Sequence, residues 1–323
     1  MWIMSNTAPT VSVVMCTYNG EKFVSEQLDS ILAQTRHIDE IIVQDDCSTD
    51  NTVDIVRRYA QRHSIVKLFV NERNMGFNDN FHHALSRATC DYVAISDQDD
   101  IWYAQKLERQ MLAIGDKDMC ATAYDIGASR DSAHYLAPSS NIERYVFGGG
   151  VAGHTMLISR DFLVNRNQWI EGITYDWSLL MNAYFGKGVV ILPEALNWHR
   201  RHDRALGNVY QSRPTGRLMA NVKPYVYGWS HYRNLQKKQN WKAMYAFIER
   251  HTDHNHDPLA HRLATLLLQS GTGPLLKLCL TCLKHRRLVY PDPLKTTGVA
   301  GRLRGFVYPA IFAYGNYHFD WAD

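Results

Sequence analysis

A chain of 323 residues, 46% hydrophobic and 21% charged, has the composition of a folded globular protein of about two domains. Its 35 Lys and Arg against 32 Asp and Glu leave a net charge of +3, which excludes a strongly basic nucleic-acid binder and an acidic disordered tail. The near-neutral sum hides an asymmetry, because 19 basic and 26 acidic residues precede and include Tyr210 while 16 basic and 6 acidic residues follow it.

Met1 to Thr10 has no basic region leading into an apolar stretch, so no secretory signal is expected and the expected location is cytoplasmic. The six cysteines are too sparse for a disulfide scaffold and are expected to be reduced; Cys279 and Cys282 are expected as a buried helical pair. Val11 to Cys16 predicts a buried strand that stops in the loop Thr17-Tyr18-Asn19-Gly20. Glu21 to Gln34 spaces Phe23, Leu28, Ile31 and Leu32 as a helix does. A second strand, Glu40 to Gln44, closes on Asp45 and Asp46, and Thr52 begins a second helix. Val66 to Val70, Asn78 to Ala88 and Tyr92 to Ser96 predict strand, helix and strand, and the last ends on Asp97-Gln98-Asp99-Asp100, with a helix expected over Ile101 to Leu112. Strand, loop and helix thus alternate three times, the pattern of a parallel α/β sheet.

Ligands bind such sheets outside the carboxyl ends of the strands. The polar groups Thr17/Tyr18/Asn19, Asp45/Asp46 and Asp97/Asp99/Asp100 each follow a predicted strand there. Three carboxylates within four residues raise one another's pKa unless a cation compensates, so a divalent metal is expected, and an oxygen-only segment favours Mg2+ or Mn2+. Mg2+ typically binds one or two carboxylates together with substrate phosphates, which makes a metal-bound diphosphate the expected ligand. A helix-capping role would explain Asp99 and Asp100 but not Asp97.

Val13 to Gly20, Ile41 to Thr52, Asn74 to Phe77 and Ile95 to Trp102 together resemble the family 2 glycosyltransferases, most nearly the bacterial rhamnosyltransferase-like branch, over roughly residues 10 to 210. The resemblance implies a GT-A fold and inverting transfer from a nucleoside-diphosphate sugar, dTDP-rhamnose or a UDP-hexose, to a saccharide or lipid-linked acceptor in surface polysaccharide synthesis. It implies that Thr17, Tyr18 and Asn19 line the nucleoside pocket and that Asp45 or Asp46 meets the base. Asp97 and Asp99 match the DxD pair, with Asp97 toward the ribose and Asp99 on the metal.

An inverting transfer needs a general base facing the acceptor. Asp176 resembles the family's catalytic aspartate, although Tyr175 stands where the family pattern has a preceding acid. Gly148, Gly149, Gly150 and Gly153 are expected to let substrate approach the main chain. The basic run Trp198 to Arg204 is expected to fold over the diphosphate as a loop, with Arg201 on phosphate oxygens and His202, which fits an Arg-x-His pattern resembling the family's, completing the metal shell.

From Gln211 onward the chain is expected to be mainly helical, a region 211–323 appended to a catalytic domain 1–210. The aromatic stripe between Tyr225 and Phe247 predicts a core or the interface of a homo-oligomer, and basic residues beside apolar stretches predict contact with an anionic membrane surface. The rival readings are a catalytically inactive nucleotide-sugar-binding scaffold and a nucleotidyltransferase; the second needs a Gly-rich phosphate loop after the first strand, which Thr17 to Glu21 does not supply.

Overall fold

The computed structural model describes residues 8–148, 150–202, 217–315 and Phe319. The chain divides into two units, each discontinuous in sequence: Met1–Pro138, Val151–Asn167 and Asn182–His202 form the first, and Ser139–Gly150, Gln168–Met181 and Asp203–Asp323 form the second. The expected cut at 210/211 lies outside the described residues, and two short segments before it group with the C-terminal helices.

The first unit is built on one mixed sheet. Strands β1 (Val11–Thr17), β2 (Glu40–Asp45), β3 (Val66–Val70) and β4 (Tyr92–Ser96) run parallel in the order β3-β2-β1-β4. All seven residues of β1 are buried, as a strand covered on both faces requires. Val11, Val13 and Met15 share a core with Val24, Leu28 and Ile31 of helix α1 (Val24–Leu32).

Beyond β4 the sheet continues through Met156–Ser159 (β8), Met119–Gly127 (β6), Val189–Arg200 (β9) and Ile101–Trp102 (β5), while His134–Leu136 (β7) pairs with β6 off this path. The helix expected from Ile101 is corrected here. Ile101 and Trp102 pair antiparallel with Trp198 and Asn197 of β9, and the helix starts only at Lys106 (Lys106–Ile114). Asp99 and Asp100 therefore do not cap a helix. The basic run is corrected as well, since Trp198, His199 and Arg200 are the end of β9 rather than a loop.

The second unit is helical where described, with helices Arg217–Leu235, Gln239–His251, Pro258–Leu268, Thr272–Lys284, Gly298–Phe306 and Tyr308–Gly315 the longest. Its core is aromatic. Trp241 is fully buried and lies 5.6 Å from Tyr232, 4.7 Å from Tyr245 and 4.9 Å from Phe319, ring centre to ring centre. Tyr232, Trp241, Tyr245 and Phe247 of the aromatic stripe are thus core, Tyr225 and Trp229 are half-buried, and the stripe is broken between Leu235 and Gln239 into two helices. Cys279 and Cys282 are buried free thiols on one helix, as expected. No helix among the described residues is long and apolar enough to cross a membrane.

Candidate active site

The parallel register places Thr17 opposite Asp45 and Met15 opposite Ser96, so the loops after β1, β2 and β4 leave the sheet side by side. Thr17 Oγ1 donates to Asp45 Oδ2 at 2.7 Å, and Asp45 also accepts from the Ser48 N–H at 2.8 Å and the Ser48 hydroxyl at 2.6 Å. Asp46 accepts from Asn71 Nδ2 and from the backbone N–H groups of Met75 and Gly76, all at 2.8 to 2.9 Å. Both carboxylates are buried and organise the loops around them. Asn19 and Cys47 hold left-handed backbone, with φ of 49° and 65°, a conformation side chains rarely accept unless the surroundings enforce it. Here Asn19 N–H donates to Ser48 Oγ at 2.8 Å and Asn19 Oδ1 accepts from Thr49 N–H at 2.9 Å. Tyr18 remains 47% exposed at the strand ends.

Gln98, which the sequence reading passed over, ties this loop to the acidic one. Its Oε1 accepts from the Tyr18 N–H at 2.9 Å and its Nε2 donates to the Tyr18 carbonyl at 3.0 Å. A Cβ on Gly20 would lie 2.1 Å from that Oε1, so the clamp requires glycine there.

The two-residue strand β5 sets the rest of the geometry. By pairing 101–102 with 197–198 it brings Asp99 and Asp100 beside the residues that follow Trp198. His202 Nε2 lies 2.7 Å from Asp99 Oδ2, and both side chains are partly exposed. Asp100, fully buried, lies 2.8 Å from His199 Nδ1 through Oδ1 and 3.1 Å from His154 Nδ1 through Oδ2. Asn197 Nδ2 donates to Asp100 at 3.3 Å, and the rings of His154 and His199 stack at 4.7 Å. Burial favours the neutral form of His199, but the Asp100 carboxylate outweighs it and raises the pKa to about 9. Burial dominates at His154 and lowers its pKa to about 3. Burial also acts to raise the pKa of Asp100, yet His154 and His199 hold it below the usual carboxylate range.

Asp97, Asp100, His154 and His199 each offer a ligand atom, all within 4.8 Å of one another, and Asp99 with His202 forms a second, more accessible pair. Carboxylate oxygens with imidazole nitrogens at such separations fit a divalent ion, whose opposite ligands stand about 4.2 Å apart at bond lengths of ~2.1 Å. Sequence reasoning missed His154 and Asn197 and preferred His202 over His199 for the metal shell; a signal for the buried cluster was the third acid, Asp100.

The sequence matches the family described as Glycosyl transferase family 2 over residues 12–175, half of the chain. The chain belongs to glycosyl transferase family 2. Among the relatives of this family 2 chain, TuaG of Bacillus subtilis, a glycosyltransferase named for teichuronic acid biosynthesis, is 38% identical over 108 residues, covering 33% of this chain and 43% of that protein. The dTDP-rhamnosyl transferase RfbG of Shigella flexneri is 29% identical over 182 residues, covering 51% and 63%. The chain spans less than two thirds of the length of either. The mannosyltransferase PcManGT of Pyrobaculum calidifontis, solved with GDP-Man and Mn2+, superposes with a TM-score of 0.54 at 18% identity, covering 94% of this chain and 86% of that one. The fold is GT-A, with a helical C-terminal region.

The remaining expected site residues of this family 2 chain fall as follows. Arg201 has an exposed side chain, and its N–H donates to the Gly127 carbonyl at 2.9 Å, extending the pairing of β6 with β9. Gly153 opens a short turn, Gly153–Thr155, and is not among the glycines with positive φ, so the conformational freedom expected of it is not used; the turn presents His154 instead. Gly148 and Gly150 do have positive φ, 65° and 125°, and belong to the second unit. Gly149, Asp203 and Arg204 lie outside the described residues.

Asp176 also belongs to the second unit, at the start of helix Tyr175–Phe185, where its Oδ1 accepts from the Trp177 N–H at 2.8 Å. Trp177 anchors that turn: its indole N–H donates to the Tyr145 carbonyl at 2.8 Å and its ring packs 5.4 Å from Phe319. Asn240 Nδ2 holds the preceding backbone by donating to the Gly172 carbonyl at 2.9 Å. Asp176 is thus held by a rigid helical scaffold.

Proposed function

We propose that the chain is an inverting, metal-dependent glycosyltransferase that moves a sugar from a nucleoside-diphosphate donor to a saccharide or lipid-linked acceptor in bacterial surface polysaccharide synthesis. The carrying observation is the meeting of Asp99 with His202 at 2.7 Å beside the loops after β1 and β2, in a chain of family 2. The nucleoside sits against Tyr18 and Asn19, with Thr17, Asp45 and Asp46 fixing the loops that shape its pocket, and Arg201 meets the diphosphate. RfbG makes dTDP-rhamnose the favoured donor, and TuaG favours a surface polysaccharide as the product.

Asp99 and His202, the more exposed pair, would hold the ion at the diphosphate and Asp97 would face the ribose; a bound Mn2+ or Mg2+ would supply electrophilic stabilisation of the leaving diphosphate oxygens. Imidazole in the donor set favours Mn2+ over Mg2+, and PcManGT was solved with Mn2+. Asp100 is fully buried, so its cluster with His154 and His199 serves to fix the ends of β4 and β9. Asp176 takes the proton from the acceptor hydroxyl, whose oxygen bonds to the anomeric carbon as the bond from that carbon to the diphosphate breaks.

Asp176→Asn keeps the hydrogen bond to the Trp177 N–H and removes the base, so turnover is expected to fall by 10³-fold or more with donor binding retained. Transfer assays alongside donor titration check this. Turnover within tenfold of the wild type would remove Asp176 from the mechanism.

A further inference from the structure

We propose that helices Thr272–Lys284 and Gly298–Phe306 carry a surface that docks on an anionic phospholipid bilayer. This rests on the second unit alone and is independent of the transfer chemistry. Helix Thr272–Lys284 buries Leu278, Cys279 and Cys282, yet Leu276 and Leu280, one turn apart on the opposite face, are 53% and 50% exposed. Helix Gly298–Phe306 packs beside it and repeats the arrangement, burying Gly301 and Gly305 and leaving Val299 and Leu303 86% and 57% exposed. A water-facing helix surface normally carries polar side chains at such positions. Here two apolar pairs one turn apart face outward on neighbouring helices.

Charge identifies the occupant. Residues 272–306 contain seven Lys and Arg and a single acid, Asp292. Asp292 is itself paired with Lys295 at 3.2 Å. Lys277 and Lys284 flank the Leu276/Leu280 face, and Arg302 lies beside Leu303, all exposed. Cations bordering exposed apolar side chains match a bilayer with negative headgroups, where the apolar groups enter the acyl boundary and the cations remain among the phosphates. A second copy of this chain would bring like charges together, which disfavours a dimer through this face.

Vesicle flotation tests it, with the full chain and liposomes of phosphatidylglycerol and phosphatidylcholine against phosphatidylcholine alone. Binding is expected to be at least tenfold stronger to the anionic vesicles and to weaken as salt is raised. The double substitution Leu276→Ser with Leu280→Ser, at exposed positions, should lower binding at least fivefold without changing the melting temperature; Val299→Ser with Leu303→Ser serves as an independent second pair. No flotation of the wild type, equal flotation of both double variants, or a wild-type dimer in solution that these substitutions dissociate would overturn the proposal, the last by assigning the face to a second copy.

Discussion

At the residue scale the site divides carboxylates by exposure. Asp99 and His202 are partly open to solvent, while Asp100 is closed in with His154 and His199. Asp99→Ala removes a proposed ligand and is expected to abolish turnover with an unchanged fold. Asp100→Asn removes the charge that holds His199 and His154 but leaves the outer pair, so Mn2+ affinity is expected to fall about 10- to 100-fold, as it does when groups orienting metal ligands are removed. A transfer assay checks the first, and titration of free Mn2+ by electron paramagnetic resonance the second. Unchanged affinity in Asp100→Asn would show that the buried carboxylate does not position the ligands.

At the scale of elements, the first turn of helix Lys106–Ile114 carries an unusual group. Lys106 is fully buried, and among the described residues its ammonium has no hydrogen-bond partner, lying 5.1 Å from the Trp102 ring. Burial lowers its pKa to about 7 against the opposing attraction of Asp100. The unfolded chain keeps a lysine proton up to about pH 10.4, so between about 7 and 10 the unfolded state binds more protons and stability rises with pH, by at most about 1.4 kcal/mol per unit. Lys106→Met is expected to remove this rise and to stabilise the fold at pH 7 by about 1–4 kcal/mol. Denaturation across pH 6 to 10 measures it, and an unaltered slope would contradict the assignment.

The same helix shows where sequence reading stopped. Continuous β-branched runs and 3.6-residue spacing made β1 to β4 and the first three helices legible, because each has to bury a face. Ile101–Trp102 carries no period in two residues, so a strand defined only by its distant partner, Asn197 and Trp198, merged into the following helix. His199 was visible as a histidine but its partner was not, since the pairing of β5 with β9 decides which of His199 and His202 meets which carboxylate. The left-handed Asn19 and Cys47 and the Gln98 clamp left no compositional mark, as they are products of loops folding on one another.

At the scale of the molecule, the charge asymmetry has a structural content. The acidic portion before Tyr210 includes Asp45, Asp46, Asp97, Asp99 and Asp100, which converge at neighbouring strand ends. Asp45 and Asp46 are satisfied by hydroxyl, amide and backbone donors, Asp100 by histidines, and Asp99 meets His202. The basic portion lies largely on helices, two of which, Thr272–Lys284 and Gly298–Phe306, present exposed apolar pairs. Such a division suits a donor site that takes its positive charge from a metal and a separate surface that takes its negative partner from a bilayer.

Metal-dependent donor binding is the claim on which the proposed transfer reaction depends, and thermal shift measures it directly. A ligand at 100 times its Kd adds about 2.7 kcal/mol of stability, which raises the melting temperature by several degrees. With a panel of nucleoside-diphosphate sugars headed by dTDP-rhamnose, the wild type is expected to be stabilised by at least one donor in the presence of Mn2+, to lose that shift in EDTA, and to lose it in Asp99→Ala. No shift with any nucleoside-diphosphate sugar, or the same shift with EDTA as with Mn2+, would contradict the account.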